Sequence, residues 1–450
     1  MATSPTDNRG TWNTKFGFIL AAAGSAVGLG NIWRFPTEAA SNGGAAFLII
    51  YIICVTLIGL PVMIAELSIG RNTQKNPVGA FKALSTNKFF PLVGFWGVLC
   101  GVMILSFYTV IAGWTFSHVF VEIFTFAGWQ STADLLADSG NGYVNAIFAI
   151  LFMSLTIMII RGGVSEGIER ATKLMMPLLV LILVIMTLYV VFQPGATKGL
   201  EVYLKPDFSM ITGELVLAAL GQAFFSLSLG MGALITYGSY LSKKENIVEA
   251  ASFVTLADVG IAFLAGLLIM PTIFLAQAQG VEIYDASGNF LAGPALIFQI
   301  LPELFSQMGG ILGLTIGISF FFLLSLAALT STISLLEVPT SYIIDEHGVR
   351  RKKAALYVGL TVLTISIIIS FNGWLIGDID YIFSVIGLPL GGLFICIFIG
   401  YFWKTRSAVE EMKNGFKDIR DSWFTTVWSV FIKYICPIII LIILAQTIFG

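Results

Sequence analysis

Gly24-Ser25-Ala26-Val27-Gly28-Leu29-Gly30-Asn31 is the stretch that decides the fold, because it interrupts an apolar segment over residues 16–38. A second interruption, Ser226-Leu227-Ser228-Leu229-Gly230-Met231-Gly232, falls inside an apolar segment over residues 213–238. Glycine costs a helix about 1 kcal/mol relative to alanine. Unwound backbone at membrane depth is tolerated only where protein or a water-filled cavity surrounds it. Both interruptions are therefore expected to lie beside a binding site.

Small-residue packing of the GxxxG type is the alternative explanation for these glycines, since it lets helices approach closely. Such a face needs small residues three or four positions apart. Gly28-Leu-Gly30 and Gly230-Met-Gly232 place glycines two apart, on different sides of a helix. The spacing therefore favours two broken helices.

The composition indicates a polytopic membrane protein, because 57% of the 450 residues are hydrophobic and only 11% are charged, against about 25% in soluble domains. Apolar segments long enough to cross about 30 Å of hydrocarbon recur along the whole chain. We predict an all-α fold with eleven transmembrane helices, named spans 1 to 11, at residues 16–38, 44–69, 92–124, 143–160, 168–192, 213–238, 251–278, 310–340, 354–371, 378–403 and 428–449.

The broken spans 1 and 6 lie five apart, as expected for an inverted repeat whose binding site lies between the two breaks. This predicts a cytoplasmic segment at 1–15, a first repeat at 16–192, a second repeat at 213–403 and a separate span 11 at 428–449. Basic residues cluster in alternate loops, whereas the other loops hold only Lys198 and Lys205. The positive-inside rule then places the N-terminus in the cytoplasm and Gly450 outside. The outer loops are short and contain no N-x-[ST] sequon, which fits a bacterial origin, so the expected location is a bacterial inner membrane.

Other functional classes have less support from the sequence. His118 and His347 lie at span ends, and the sequence shows no nucleophile–His–acid grouping and no metal cluster, so an enzyme is disfavoured. A passive channel would need a continuous lined pore, whereas the two breaks predict an enclosed site. No pattern indicates a nucleic-acid partner, and none indicates the oligomeric state. The expected partners are a small-molecule substrate and the lipid bilayer.

Three motifs resemble the neurotransmitter:sodium symporter family. Gly24-Ser-Ala-Val-Gly-Leu-Gly-Asn-Ile-Trp-Arg-Phe-Pro36, followed by Asn42-Gly-Gly-Ala-Ala-Phe47, is similar to the family's first-helix signature. Gln222-Ala-Phe-Phe-Ser-Leu-Ser-Leu-Gly-Met-Gly232 and Ala327-Ala-Leu-Thr-Ser-Thr332 resemble its sixth-helix and eighth-helix motifs. The resemblance covers essentially the whole chain, looks most like the bacterial amino-acid branch, and implies a LeuT-like fold.

The resemblance implies two co-transported sodium ions, bound by backbone carbonyls and hydroxyl oxygens. One site would comprise Gly24, Val27, Ala327, Thr330 and Ser331. The other would comprise Ala26, Asn31, Ser226, Asp258 and the substrate carboxylate. For the hydroxyls alone, ordinary hydrogen bonding between helices is the competing explanation.

Asp258 departs from the family pattern, in which a neutral asparagine is usual and many animal members bind chloride beside it. A carboxylate within a membrane span indicates function by default. Tyr51, Gln222 and Ser226 occupy positions that would help to hold chloride. Asp258 would supply that negative charge itself, so we expect transport without chloride. The competing explanation, a structural aspartate paired with a lysine, lacks a Lys or Arg in its span.

The resemblance also implies the substrate class, because Gly28 replaces the amine-binding aspartate of the monoamine transporters. A substrate carboxylate could then complete the sodium site and meet the positive ends of the broken helices. We predict a neutral, hydrophobic or aromatic L-amino acid, with a small carboxylated amine such as taurine, betaine or GABA as the alternative. The substrate would contact Ser25, Ala26, Gly28, Gly30, Ile104, Tyr108, Phe225, Ser226, Ser228, Met231, Ser331 and Leu335.

Two gates are implied by position in the motifs. Arg34 and Asp380, with Phe225 as a lid over the substrate, resemble the family's outer gate. The residues that resemble its inner gate are Arg9, Trp12, Ser239, Tyr240 and Asp345. Solvent-exposed ion pairs are worth only about 0–1 kcal/mol, so such gates would open readily.

Overall fold

The computed structural model describes residues 10–278, 280, 283, 296–416 and 423–449, and the regular secondary structure in these residues is helical. Within them, nine helices are long and apolar enough to cross a membrane. They correspond to spans 2, 3, 4, 5, 7, 8, 9, 10 and 11 and run over Ala45–Thr73, Phe90–Phe126, Gly142–Arg161, Val164–Val191, Ile247–Ala278, Gly310–His347, Arg351–Ser370, Leu375–Phe402 and Trp423–Phe449.

Span 1 is broken where the sequence predicts. Its first half, Lys15–Ala26, begins after Thr14, whose side chain accepts a hydrogen bond from the Gly17 N–H. Its second half, Gly30–Ser41, lies at 51° to the first. Val27 has extended backbone angles, φ −77° and ψ 96°, so the helical hydrogen-bond ladder stops there and backbone groups at the break turn to other partners.

Span 6 is also broken, into Gly213–Ser226 and Ala233–Gly238. Its linking turn contains three residues with positive φ: 54° at Ser228, 82° at Gly230 and 76° at Gly232. Neither half is long enough to cross a bilayer alone. The described residues therefore contain nine continuous spans and one bent pair, ten in all, and the predicted count of eleven stays a prediction.

The two broken spans lie inside the bundle. The Lys15–Ala26 half of span 1 packs against spans 5, 7 and 8, and span 3 packs along span 8. The turn in span 6 lies directly against span 10, because a Cβ on Gly230 would be 2.0 Å from the Leu388 carbonyl oxygen. In the described residues, five short α-helices lie between the spans, at Pro77–Leu84, Gln130–Ala137, Ala196–Leu204, Leu301–Met308 and Thr405–Lys413.

Two glycines of span 6 provide a matched test of this packing. Gly230→Ala should lower the unfolding temperature of the purified protein, because its methyl would meet the Leu388 carbonyl and its φ of 82° is left-handed. The backbone conformation alone costs about 1–2 kcal/mol. Gly221→Ala, at a helical position with nothing within 4 Å of the new methyl, should leave stability unchanged or raise it by up to about 1 kcal/mol. Equal effects of the two variants would contradict the close approach of spans 6 and 10.

Candidate functional site

A cavity of about 20 Å³ lies between the breaks of spans 1 and 6. Its walls contain eleven of the twelve residues predicted to contact substrate; the twelfth, Ser226, lies behind the wall. The cavity is also lined by two residues that the motifs did not single out, Ser334 and Leu388. No charged side chain lines it. A cavity needs about 10–15 Å³ to hold one water, so an amino acid would require its walls to move apart.

Gly28 leaves space for two hydroxyl groups at the centre of this cavity. A Cβ on Gly28 would lie 2.1 Å from Ser331 Oγ and 2.9 Å from the Tyr108 hydroxyl oxygen. The Leu29 N–H donates a hydrogen bond of 3.0 Å to Tyr108, so a backbone group freed by the break orients the tyrosine. In the same cavity, Ser25 Oγ is buried and has no hydrogen-bond partner among the described residues. The polar groups therefore converge on the span 1 break.

Asp258 accepts three side-chain hydrogen bonds directly behind the cavity. Asn31 Nδ2 and Ser226 Oγ each lie 2.7 Å from Oδ1, and the Tyr51 hydroxyl donates to Oδ2 over 2.9 Å. All four side chains are buried. The network joins spans 1, 2, 6 and 7, so the carboxylate is held next to both breaks.

The residues predicted to favour chloride are partly engaged with Asp258. The hydroxyls of Tyr51 and Ser226 both donate to the carboxylate and are 3.1 Å apart. Gln222 Nε2 donates to the Gly30 carbonyl over 2.8 Å, while its buried Oε1 has no partner in the part of the chain that the structure describes. The Asp258 carboxylate therefore occupies the position where the hydroxyls of Tyr51 and Ser226 converge.

A second group of oxygen atoms surrounds Thr330. Its hydroxyl lies 3.1 Å from the Val27 carbonyl oxygen and 2.8 Å from that of Ala327. A Cβ on Gly24 would be 3.3 Å from Thr330 Cβ. Four of the five residues predicted for this sodium site thus lie together, whereas the Ser331 hydroxyl faces Gly28 and the cavity.

The geometry fits an alkali cation better than a transition metal. The described residues contain no group of three or more His, Cys, Asp or Glu that could hold a metal ion. Around Asp258 and Thr330, the atoms that could coordinate a cation are carboxylate, carbonyl and hydroxyl oxygens, which suit hard cations.

The predicted outer-gate residues lie at the floor of a larger cavity. Arg34 Nη1 is 3.9 Å from Asp380 Oδ1, and the Arg34 guanidinium lies 4.6 Å from the centre of the Phe225 ring. Phe225 separates the 20 Å³ cavity from a vestibule of about 660 Å³ that the Arg34 and Asp380 side chains line. Access to the small cavity from this side therefore passes Phe225.

The structure describes four of the five predicted inner-gate residues, and each of the four has partners in this region. Trp12 Nε1 donates to the Tyr237 carbonyl over 3.1 Å, and the Trp12 ring packs edge-on against Tyr237 and Tyr240. Ser239 Oγ donates to the Thr236 carbonyl. Asp345 accepts hydrogen bonds from the Asn76 backbone N–H and side chain, at 2.8 and 3.0 Å. Arg9 lies outside the described residues.

Sequence reasoning missed an ion pair beside the predicted inner-gate residue Tyr240. Glu337 accepts a hydrogen bond from the Tyr240 hydroxyl at 2.6 Å and pairs with Arg351 at 2.5 Å. Arg351, at the start of span 9, also donates from Nε to the Ile160 carbonyl, so the pair links spans 4, 8 and 9 with Tyr240 just after span 6. The signal available in the sequence was a glutamate, Glu337, inside the apolar span 310–340.

Glu66 was also missed. This buried carboxylate in span 2 accepts a hydrogen bond of 2.7 Å from the Gly230 N–H. It therefore satisfies a backbone group that the span 6 break leaves free. A lone glutamate within an apolar span could have identified it.

Comparison with known proteins agrees with this arrangement. The model of the Sodium:neurotransmitter symporter family matches residues 9–139 and 135–449. The sodium-dependent transporter YhdH of Bacillus subtilis is 34% identical over 447 residues, which are 96% of each chain. A sodium-dependent serotonin transporter of Drosophila melanogaster is 27% identical over 98% of this chain and 77% of its own.

A solved structure, MhsT in complex with L-phenylalanine, superposes with a TM-score of 0.86 at 40% identity. The alignment covers 98% of this chain and all of that one. The similarity therefore extends through both broken spans and the LeuT-like bundle around them. The chain belongs to the sodium:neurotransmitter symporter family, whose members are sodium-coupled membrane transporters and not enzymes.

Proposed function

We propose that this chain carries a neutral, hydrophobic or aromatic L-amino acid into the cell together with two sodium ions, and without chloride. The observation that carries the proposal is the charge-free cavity between the two breaks, with the Asp258 carboxylate directly behind it. A zwitterion would place its carboxylate near Tyr108 and the freed N–H groups of span 1. Its side chain would face Ile104, Met231 and Leu335, and the similar transporter MhsT was solved with L-phenylalanine.

Binding would require the walls of the cavity to move. Phe225 separates the cavity from the vestibule, and Met231 is an unbranched side chain that can adopt other rotamers. We infer that the substrate enters through the vestibule, displaces Phe225 and is then covered by it. The nearest charged atoms of Arg34 and Asp380 are 3.9 Å apart, longer than a direct hydrogen bond. This distance fits a gate that tightens only after the substrate has bound.

The two oxygen clusters would divide the sodium ions between them. One ion would lie between the Asp258 carboxylate and the substrate carboxylate, so its binding and that of the substrate favour each other. The other would use the carbonyls of Val27 and Ala327 with Thr330. Each ion gains about 2.3 kcal/mol per 100 mV and about 1.4 kcal/mol per tenfold gradient. At 100 mV and a tenfold sodium gradient, two ions therefore supply about 7 kcal/mol. This free energy corresponds to about 10⁵-fold accumulation of the amino acid.

The substrate class can be tested by thermal unfolding with candidate ligands. L-Phenylalanine, L-leucine or L-methionine should raise the unfolding temperature in sodium chloride but not in potassium chloride, because ligands stabilise the state they bind. The corresponding amides and decarboxylated amines should have no effect, since they cannot complete the sodium site. Stabilisation by taurine, betaine or GABA in place of these amino acids would favour the alternative cargo. Equal stabilisation by phenylalanine and phenethylamine would contradict the carboxylate's role.

Thr330→Val tests the second sodium site, because it preserves shape and removes the hydroxyl. The sodium concentration for half-maximal uptake should rise at least tenfold, equivalent to about 1.4 kcal/mol. Thr332→Val is the matched control. Thr332 lies in the same helix as Thr330, but its hydroxyl hydrogen-bonds to that of Thr156 in span 4 at 2.9 Å. That control should lose stability without a specific change in sodium dependence. The same sodium dependence in both variants would show that Thr330 only joins helices.

Asp258→Asn tests chloride independence. Replacing chloride by gluconate should leave wild-type uptake unchanged, because a fixed carboxylate already supplies the negative charge beside the first sodium ion. The variant should either lose uptake or become chloride-stimulated, as an anion could then take the donors of Tyr51 and Ser226. Loss of wild-type uptake in gluconate would contradict this role for Asp258, as would normal chloride-free uptake by the variant.

A further inference from the structure

A groove of about 400 Å³ lies between the short helix Thr405–Lys413 and the start of span 11. It lies far along the chain from the two breaks and shares no residue with the transport cavity. Its walls comprise two basic side chains, four hydroxyl-bearing residues, a tyrosine and two valines: Arg406, Lys433, Thr405, Thr425, Thr426, Ser429, Tyr434, Val409 and Val430. The groove therefore combines positive charge with hydrogen-bonding groups.

Its two cations lack a carboxylate partner in the part of the chain that the structure describes. Among the described residues, neither Arg406 nor Lys433 forms an ion pair with a carboxylate, whereas nearby Lys413 pairs with Glu410. The Lys433 ammonium lies 5.4 and 5.2 Å from the ring centres of Tyr401 and Tyr434. The Tyr401 hydroxyl also donates to the Lys433 carbonyl at 3.1 Å. Tyr401 and Tyr434 therefore hold this positive charge beside the groove.

The N-terminus of the helix Thr405–Lys413 adds to the positive field. Its first residue lines the groove, and no side chain caps this end. The first N–H groups of a helix carry partial positive charge and bind phosphate readily. This end and the two basic side chains thus favour the same ligand, an anion with several acceptor oxygens.

Beyond the groove, span 11 exposes an apolar stripe, Val427, Val430, Tyr434, Ile438 and Leu441. These residues follow each other at intervals of three or four and so lie on one helix face, while Trp428, Ile432 and Ile440 on the other face are buried. From Val430 to Leu441 the stripe is about 16 Å long, which is about half of a 30 Å hydrocarbon layer. The stripe is continuous with the groove, because Val430 and Tyr434 belong to both.

We propose that this groove binds the phosphate headgroup of an anionic phospholipid, with an acyl chain along the stripe. A lipid fits better than free phosphate because the cationic groove continues into an apolar surface one leaflet long. The basic loops predict that this end of the bundle faces the cytoplasm, where basic pockets between spans bind anionic headgroups.

Native mass spectrometry of the purified full-length protein tests the proposal, with phosphatidylglycerol and phosphatidylcholine of identical acyl chains as probes. The wild type should bind phosphatidylglycerol at least about tenfold more tightly. Arg406→Gln combined with Lys433→Gln should abolish that preference. Lys404→Gln should keep this preference. Lys404 is an exposed cation directly before the helix Thr405–Lys413, and it does not line the groove.

Equal retention of the two lipids by the wild type would contradict the proposal, and so would an undiminished preference in the double variant. Displacement of phosphatidylglycerol by an equal concentration of inorganic phosphate would identify a free-anion site and overturn the lipid assignment. The unfolding temperature in phosphatidylcholine micelles controls for folding. If the double variant unfolds early, Arg406→Lys with Lys433→Arg decides instead, since it retains both charges and should keep the preference.

Discussion

The structure depends on one constraint: two helices are broken inside an apolar bundle, and the backbone groups that each break frees need partners there. Unsatisfied polar groups in hydrocarbon cost several kcal/mol each. Tyr108 therefore accepts from Leu29 N–H, Glu66 accepts from Gly230 N–H, and Gln222 donates to the Gly30 carbonyl. Buried polar side chains are thus concentrated beside the two breaks, where they satisfy freed backbone groups.

The location of the functional region could be predicted from the sequence because its signals are local. Paired glycines mark each break, and Asp258 is conspicuous as a carboxylate without a basic residue in its span. The transport-family motifs supplied the cavity residues, eleven of which line one cavity. The broken span 1 and the LeuT-like bundle are confirmed. The individual ligand roles stay predictions.

What the sequence did not reveal depends on long-range pairing and on side-chain direction. Glu66 meets Gly230, and Arg351 meets Ile160, across more than 160 positions of the chain. No spacing rule encodes such contacts. Ser331 follows Thr330 directly, yet its hydroxyl faces the cavity while that of Thr330 faces two carbonyls. A rotation of about 100° per residue along a helix explains why neighbouring hydroxyls of one motif point to different sites.

The central claim is that the two breaks bind two sodium ions for each amino acid. Purified protein in liposomes, loaded with L-phenylalanine, allows that ratio to be measured from the reversal of net amino-acid flux. At fixed voltage and pH, the amino-acid gradient that stops net flux should change 100-fold for each tenfold change in the sodium gradient, as expected for two coupled ions. A tenfold change would mean that one of the two sites does not carry a coupled ion. No change would show that amino-acid movement is not driven by sodium, and would contradict the account.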